Sequence, residues 1–321
     1  MKNYYNPENL NKICNPVKFL LLIFLSITFI FNPAYMPASA KKTISAEIKE
    51  AQAVFQNEKV KIDFTASDDT GTVKINAVLK SDKRIKITIA KNEKNGATYT
   101  YDLKNDTTAE VYPLQMGSGE YIVKIWFQIA GTQYKLGFTC TYAVNLSDAN
   151  TPFLNPNQYV NYNDYSKITK IAARLTKDCR SDVEKVEAIY KFVINSIEYD
   201  AKKADAAIKG QLAGYLPSVD AVVESGKGIC FDYAAVFAAM LRSQNIPAKL
   251  VIGQVSSNNT FHAWNEVYLK DTGARFTINN MQFYGGKFER LDPSFDSSSK
   301  SNARVLQFIG DSKNYKKIQE Y

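Results

Sequence analysis

The chain has 321 residues, of which 45% are hydrophobic, 22% charged and 12% aromatic, with 15 Gly and 10 Pro. That length suits two domains of about 100–200 residues each, and the composition excludes a disordered, collagen-like or Pro/Gly-rich chain. The net charge is +8; four cysteines are too few for a disulfide scaffold, and a single histidine excludes any multi-histidine metal site.

Residues 1–40 read as an export signal. Lys2, Lys12 and Lys18 give a positive start, and Phe19 to Phe31 is apolar except for Ser26 and Thr28. A membrane span needs about 20 apolar residues, so this run fits the apolar region of a signal peptide better. Pro33 and Pro37 break the helix, and Ala38-Ser39-Ala40 is a small-residue cleavage pattern. The alternative is an uncleaved N-terminal anchor, which would be the chain's only membrane attachment. Cys14 precedes the apolar run, which argues against a lipid-modified cysteine at the cleavage site. Cleavage would leave 281 residues with 37 basic and 31 acidic side chains, a net charge of +6. A basic excess of this size suits anionic surface polymers or lipid headgroups, and equally a generally solvated surface. The cations are scattered, without an Arg-rich run or aromatic-interleaved basic motif, so no nucleic-acid partner is expected.

Residues 41–58 read as a short amphipathic helix or connector. From Lys59 to Tyr142 apolar and polar residues alternate: Val60, Ile62 and Phe64; Ile85, Ile87 and Ile89; Tyr99, Tyr101 and Leu103; Tyr134, Leu136, Phe138 and Cys140. Turn residues separate these runs at 67–71, 92–96, 105–106, 117–119 and 131. About seven strands at this spacing predict an immunoglobulin-like β-sandwich over 41–145. Residues 146–165, polar with Pro152 and Pro156, read as a linker before a second domain at 166–321.

In the second domain the period becomes helical. Ser181 to Glu184 forms a capping box, and Val186, Ile189, Tyr190, Val193 and Ile197 make one apolar stripe of about four turns. Ser218 caps a short helix that ends at Gly226. Gly226-Lys-Gly-Ile-Cys230 then leads into a helix with Ala234, Phe237, Ala238 and Leu241 on its buried face, ending near Asn245 and Pro247. Cys230 stands in the first turn, where the helix dipole favours a thiolate. A cysteine is otherwise a small buried hydrophobe, as expected for Cys140 on its strand. Cys179 lies near a helix end, and a Cys140–Cys179 disulfide would have to link two domains.

Phe261 to Leu269 alternates as a strand, with His262, Trp264, Glu266 and Tyr268 on one face. His262 is the only imidazole available as a base. A second strand, Phe288 to Leu291, leads to Asp292-Pro293. A carboxylate there can accept the Nδ1–H of His262 and stabilise its charged form, although Asp before Pro is also a common turn.

These segments together, GxCxDYAxxFAAxLR at 228–242, HAWNEVY at 262–268 and LDPSF at 291–295, resemble the transglutaminase-like superfamily. The resemblance covers about residues 185–296. It implies a papain-like core of helices packed on an antiparallel sheet, and so an α+β chain with the β-sandwich placed first. It also implies Cys230 as nucleophile, His262 as general base and acid, and Asp292 as orienting carboxylate. By the same resemblance Asp232 and Tyr233 brace the helix start, Trp264 belongs to the histidine motif, and Tyr199 matches a tyrosine before the catalytic helix, read as structural support. Phe288 stands where the family often carries Trp, and 276–286 adds a strand and loop that could shape the substrate groove. The implied activity is acyl transfer or hydrolysis on an extracytoplasmic protein or cell-wall peptide, through a thioester, without metal or cofactor. The rival reading is a non-catalytic surface-binding protein in which the core is a scaffold.

Overall fold

The computed structural model describes residues 53–94, 96–255, 260–270 and 275–321. The expected export signal and residues 41–52 lie outside them. Two compact units divide at 147/148.

The first unit contains β1 (Val54–Gln56), β2 (Val60–Asp63), a single helical turn α1 (Ser67–Thr70), β3 (Thr72–Ala77), β4 (Ile85–Lys91), β5 (Thr98–Leu103), β6 (Glu110–Pro113), β7 (Gly119–Ala130) and β8 (Gln133–Val144). These strands form two four-stranded sheets, β1-β2-β3-β6 and β5-β4-β7-β8, with antiparallel pairing throughout. Most of the alternating apolar residues of both sheets are buried, and Tyr101 meets Tyr112 at 4.9 Å and Phe64 stacks on Tyr142 at 4.6 Å; in β8 a register shift opposite Trp126 leaves Leu136 exposed. Residues 54–56, expected as helix or connector, are strand β1. Phe55 packs edge-on against Phe64 and Tyr142, and this tertiary contact outweighs the weak local helical pattern.

The second unit contains α2 (Lys167–Thr176), α3 (Asp182–Ser196), β9 (Glu198–Tyr199), α4 (Ala201–Ile208), α5 (Val219–Ser225), β10 (Lys227–Gly228), α6 (Cys230–Ser243), β11 (Ala248–Val255), β12 (Thr260–Tyr268), β13 (Arg275–Ile278), β14 (Met281–Tyr284), β15 (Phe288–Leu291), α7 (Pro293–Ser299), α8 (Ala303–Gly310) and β16 (Tyr315–Glu320). The residues expected as a linker are largely built into this unit, since Phe153 and Val160 are buried and Asn155 accepts a hydrogen bond from Arg242. The apolar residues Val305 to Ile309, whose structure the sequence left open, form helix α8 rather than strand, and the chain then returns as β16.

Helix α6 is the axis of this unit. Every residue from Asp232 to Arg242 is buried, and between the charged ends Asp232 and Arg242 the helix is apolar around its circumference save for the Tyr233 hydroxyl, as a core helix must be. It packs on β11 and β12 of an antiparallel sheet ordered β15-β12-β11-β16, with α2, α3 and α5 around it. Its C-terminal end is held by Arg242, whose guanidinium donates to the carbonyls of Ala248 (2.9 Å), Asn155 (2.7 Å) and Tyr321 (2.7 Å). At its middle, Phe237 is fully buried and meets Tyr190 of α3 edge-on at 5.4 Å. Truncating a buried Phe removes apolar contact and leaves a cavity. Phe237→Ala should therefore lower unfolding free energy by about 3–5 kcal/mol in urea titrations followed by circular dichroism.

Candidate active site

The site is assembled by two helix starts and one strand. Gly226 closes α5 in the left-handed region (φ 62°), and Lys227-Gly228 then pair in parallel with Glu198-Tyr199. Tyr199 thus stands opposite Gly228, two residues before Cys230. A Cβ on Gly228 would come within 2.7 Å of the Asp232 Cβ, so only glycine fits there. The closeness comes from Asp232 folding back over the helix start, where its Oδ2 accepts the Ile229 N–H at 2.8 Å. Asp232 is fully buried, and it also accepts the Lys203 ammonium (2.7 Å) and the Tyr215 hydroxyl (2.5 Å). The next residue, Tyr233, donates its hydroxyl to the Ile197 carbonyl and meets Ser297 Oγ at 3.2 Å, tying α6 to the end of α3 and to α7. Cys230 is thereby fixed at the first helical position, half-buried, where the N–H groups lack intrahelical acceptors.

His262 lies near the start of β12, opposite Gly253 of β11. Strand β15 pairs with β12 only from Asn265 to Tyr268, and the chain leaves the sheet directly after Leu291. Asp292 then becomes the N-cap of α7, with Pro293 at the first helical position. Asp292 Oδ1 accepts the Phe295 N–H (3.1 Å) and the Ser294 hydroxyl (2.9 Å), and Oδ2 lies 2.7 Å from His262 Nε2. The carboxylate is therefore a helix cap and an imidazole partner at once.

The nitrogen that meets Asp292 is Nε2, not the Nδ1 expected from the sequence. Asp292 reaches Nε2 from the N-cap of α7. With Nε2 engaged by Asp292, Nδ1 is the ring nitrogen left for the hydrogen bond between the imidazole and Cys230. Burial opposes charge on His262, but the negative charges and hydrogen bonds of Asp292 and Cys230 outweigh it and raise its pKa from 6.5 to about 10. Asp292 is also fully buried, which would raise its pKa. The His262 charge and the surrounding donors reverse this and hold it below the usual 3.8.

The histidine ring is enclosed on its other sides. Phe295 stacks on it at 4.2 Å, and Trp264 lies parallel to it at 6.4 Å. Trp264 is buried with Val251 and Val255, and so serves as the floor beneath the imidazole.

The structure thus brings together Cys230, His262 and Asp292, with Asp232, Tyr233 and Tyr199 around the helix start and Trp264 beneath the ring. Sequence reasoning missed Lys203, Tyr215 and Tyr315. The Tyr315 hydroxyl donates to Asp292 Oδ2 at 2.9 Å, and no local pattern marks a partner 23 residues away. The inserted hairpin β13–β14 turns at Asn279 and Asn280, both with positive φ. Its Asn279 amide donates to Asp296 (2.5 Å) and Ser301 (3.0 Å), so its tip is tied to α7 and the residues just after it. Cys140 is buried, and burial pushes its thiol up to about 12. Neither it nor Cys179 is in a disulfide.

Residues 169–276 match the family model of the transglutaminase-like superfamily. That span includes Cys230 and His262 and stops short of Asp292. A 115-residue stretch is 29% identical to the mouse (Mus musculus) kyphoscoliosis peptidase, covering 33% of this chain and 17% of that protein. Among solved structures, a protein of Cytophaga hutchinsonii provisionally named a cysteine protease aligns with a TM-score of 0.39 at 16% identity, covering 78% of this chain and 76% of the other. Red sea bream transglutaminase aligns with a TM-score of 0.33 at 10% identity, covering 78% and 57%. The second unit of this chain carries a transglutaminase-like domain.

The charge state of the pair should show in stability. The folded-state pKa of His262 lies above its unfolded value. Its contribution is therefore fully present below about pH 6.5 and is lost as pH rises through about 10. Asp292 behaves oppositely, contributing above its unfolded value of 3.8 and losing that contribution as pH falls. In urea titrations, the stability margin of the wild type over His262→Gln should be largest near about pH 6 and should shrink steadily towards about pH 10.

Proposed function

We propose that this chain is a cysteine acyl-transfer enzyme of transglutaminase-like type, acting on carboxamide or peptide bonds. The observation that carries this reading is His262 held between a buried carboxylate, 2.7 Å from Nε2, and the Cys230 thiol at the start of a helix. Cys230 is the nucleophile, His262 the general acid and base, and Asp292 the group that orients the imidazole.

In the first half-reaction the Cys230 thiolate attacks the acyl carbon. The backbone N–H of Cys230, at the helix start, is the first donor to the developing oxyanion. His262 gives its Nδ1 proton to the departing amine, leaving a thioester on Sγ. In the second, an incoming amine or water loses a proton to Nδ1 as it attacks the thioester, and the thiolate leaves. Asp292 stabilises the imidazolium throughout and keeps its Nε2–H. An amine acceptor gives a crosslink or a modified side chain, and water gives hydrolysis.

We place this activity outside the cytoplasm, on a protein or cell-wall peptide. The export-signal pattern of residues 1–40 supports that reading, and the basic excess of the remaining chain is compatible with anionic surface polymers. The first unit is read as an immunoglobulin-like sandwich that supports or docks the enzyme, on the strength of its two antiparallel sheets.

Incubation with casein and a fluorescent primary amine tests the reading, with Cys230→Ala in parallel and product masses measured. The expected result is amine incorporation, cleavage or deamidation by the wild type, reduced at least about a thousandfold in Cys230→Ala. Equal turnover by the two proteins would refute the assignment. So would an absence of turnover combined with Cys230 alkylation by iodoacetamide that is indifferent to His262→Ala.

A further inference from the structure

Asp292 receives one hydrogen bond that the acyl-transfer chemistry does not require, from Tyr315. This residue begins β16, an outer strand that joins the sheet through β11 and pairs there with Val255. Its hydroxyl donates to Oδ2 at 2.9 Å, the same oxygen that meets His262 Nε2 at 2.7 Å. Since Oδ1 already holds Ser294 and Phe295, Tyr315 completes a set of four donors around one buried carboxylate.

The phenol ring is itself fixed. Trp264 meets it edge-on at 5.0 Å, Phe308 lies at 5.8 Å, and the Arg290 guanidinium covers its face at 4.2 Å. The strand that carries it comes close to β11 because of one glycine. A Cβ on Gly253 would lie 2.2 Å from the Lys316 carbonyl and 2.5 Å from the Trp264 ring. The pairing shifts register at that point, between Ile252 and Gly253. Strand, glycine and rings together deliver one hydroxyl to one carboxylate oxygen.

We propose that Tyr315 is a positioning residue for acyl transfer: it fills the remaining acceptor site of Asp292 Oδ2, holding the carboxylate in one orientation towards His262 and keeping it ionised. This rests on the acyl-transfer reading above. The groups that face the carboxylate are His262 from β12, with Cys230 of α6 beyond it, Tyr315 from β16, and Tyr190 from α3. Tyr190 donates to the Asp292 main-chain carbonyl at 3.4 Å and also bonds Asp296 of α7. Arg290 of β15 acts through the Tyr315 ring. Of these, only His262 and Tyr315 donate to Oδ2. A donor to the ionised form lowers a carboxylate's pKa, so removing Tyr315 leaves Asp292 easier to protonate. A protonated Asp292 no longer supports the imidazolium.

The test compares wild type, Tyr315→Phe and Phe308→Leu. The second variant loosens the same ring packing but leaves the hydroxyl in place. Cys230 alkylation by iodoacetamide is followed from about pH 4 to 10, alongside kcat and KM for casein with the fluorescent amine. For Tyr315→Phe, the acid limb of both profiles should move up by about half a pH unit or more. Its kcat at pH 7 should fall about tenfold, with KM within about twofold. Phe308→Leu should lower the melting temperature and leave the acid limb in place. Superimposable profiles for Tyr315→Phe and wild type would overturn the proposal, as would an equal shift in Phe308→Leu. Wild-type alkylation that does not change with His262→Ala would instead overturn the acyl-transfer reading, and the proposal with it.

Discussion

A charged imidazole and a charged carboxylate sit together in a protein interior, and much of the second unit serves to make that tolerable. Removing either ion from water costs several kcal/mol, which attraction between the two offsets only when the remaining hydrogen-bonding capacity is satisfied. Asp292 meets this condition with four donors: His262, Tyr315, Ser294 and the Phe295 N–H. Two of these come from the first turn of α7, so the cap that starts the helix also solvates the ion. The geometry is over-determined. Asp292 cannot turn away from His262 without uncapping a helix and leaving a tyrosine hydroxyl without its acceptor.

The start of α6 repeats this logic with different chemistry. Asp232 caps the helix from within its first turn, and its charge is met by Lys203 and Tyr215 rather than by a histidine. This ion pair is buried on one side and partly exposed on the other. Its effect is mechanical, because it closes Gly228 and Ile229 onto the helix and fixes the turn from which Cys230 starts α6. Cys230 and His262 are therefore held by two separate helix caps, each an aspartate engaged more than once. The sheet between them contributes His262 from β12, with Trp264 two residues along the same face.

Cys230 and His262 were legible in the sequence because each carries local evidence. Two glycines before a cysteine at the start of an apolar helix leave few alternatives for its position, and the alternation from Phe261 to Leu269 assigns His262 to a face. Asp292 was legible only as a strand end followed by proline. Which imidazole nitrogen it meets depends on how α6 and α7 approach β12, and pairwise packing leaves no trace in residue order. The same holds for Tyr315 and Lys203, whose partners lie 23 and 29 residues away and whose neighbours in sequence look like ordinary polar surface. Residues 54–56 show the converse failure: their local pattern suggested helix or connector, and packing of Phe55 against Phe64 and Tyr142 made them strand.

The enclosure of the site is uneven, and that unevenness has a chemical consequence. Asp292 is fully buried, and Phe295, Trp264 and Tyr315 surround the imidazole, while Cys230 keeps partial exposure. The polarity of the surroundings therefore rises from the carboxylate towards the sulfur. On the dry side Coulombic attraction is strong, so the Nε2 proton stays with the ring and the carboxylate acts as a fixed negative charge. Towards Cys230 the surroundings open, and the thiol keeps contact with solvent. A symmetrical enclosure would either strand the ion pair in water, weakening it, or seal the thiol from solvent. By burying the carboxylate and the imidazole together and leaving the thiol half-exposed, the fold gives a chain with one imidazole a dry ion pair beside an accessible sulfur.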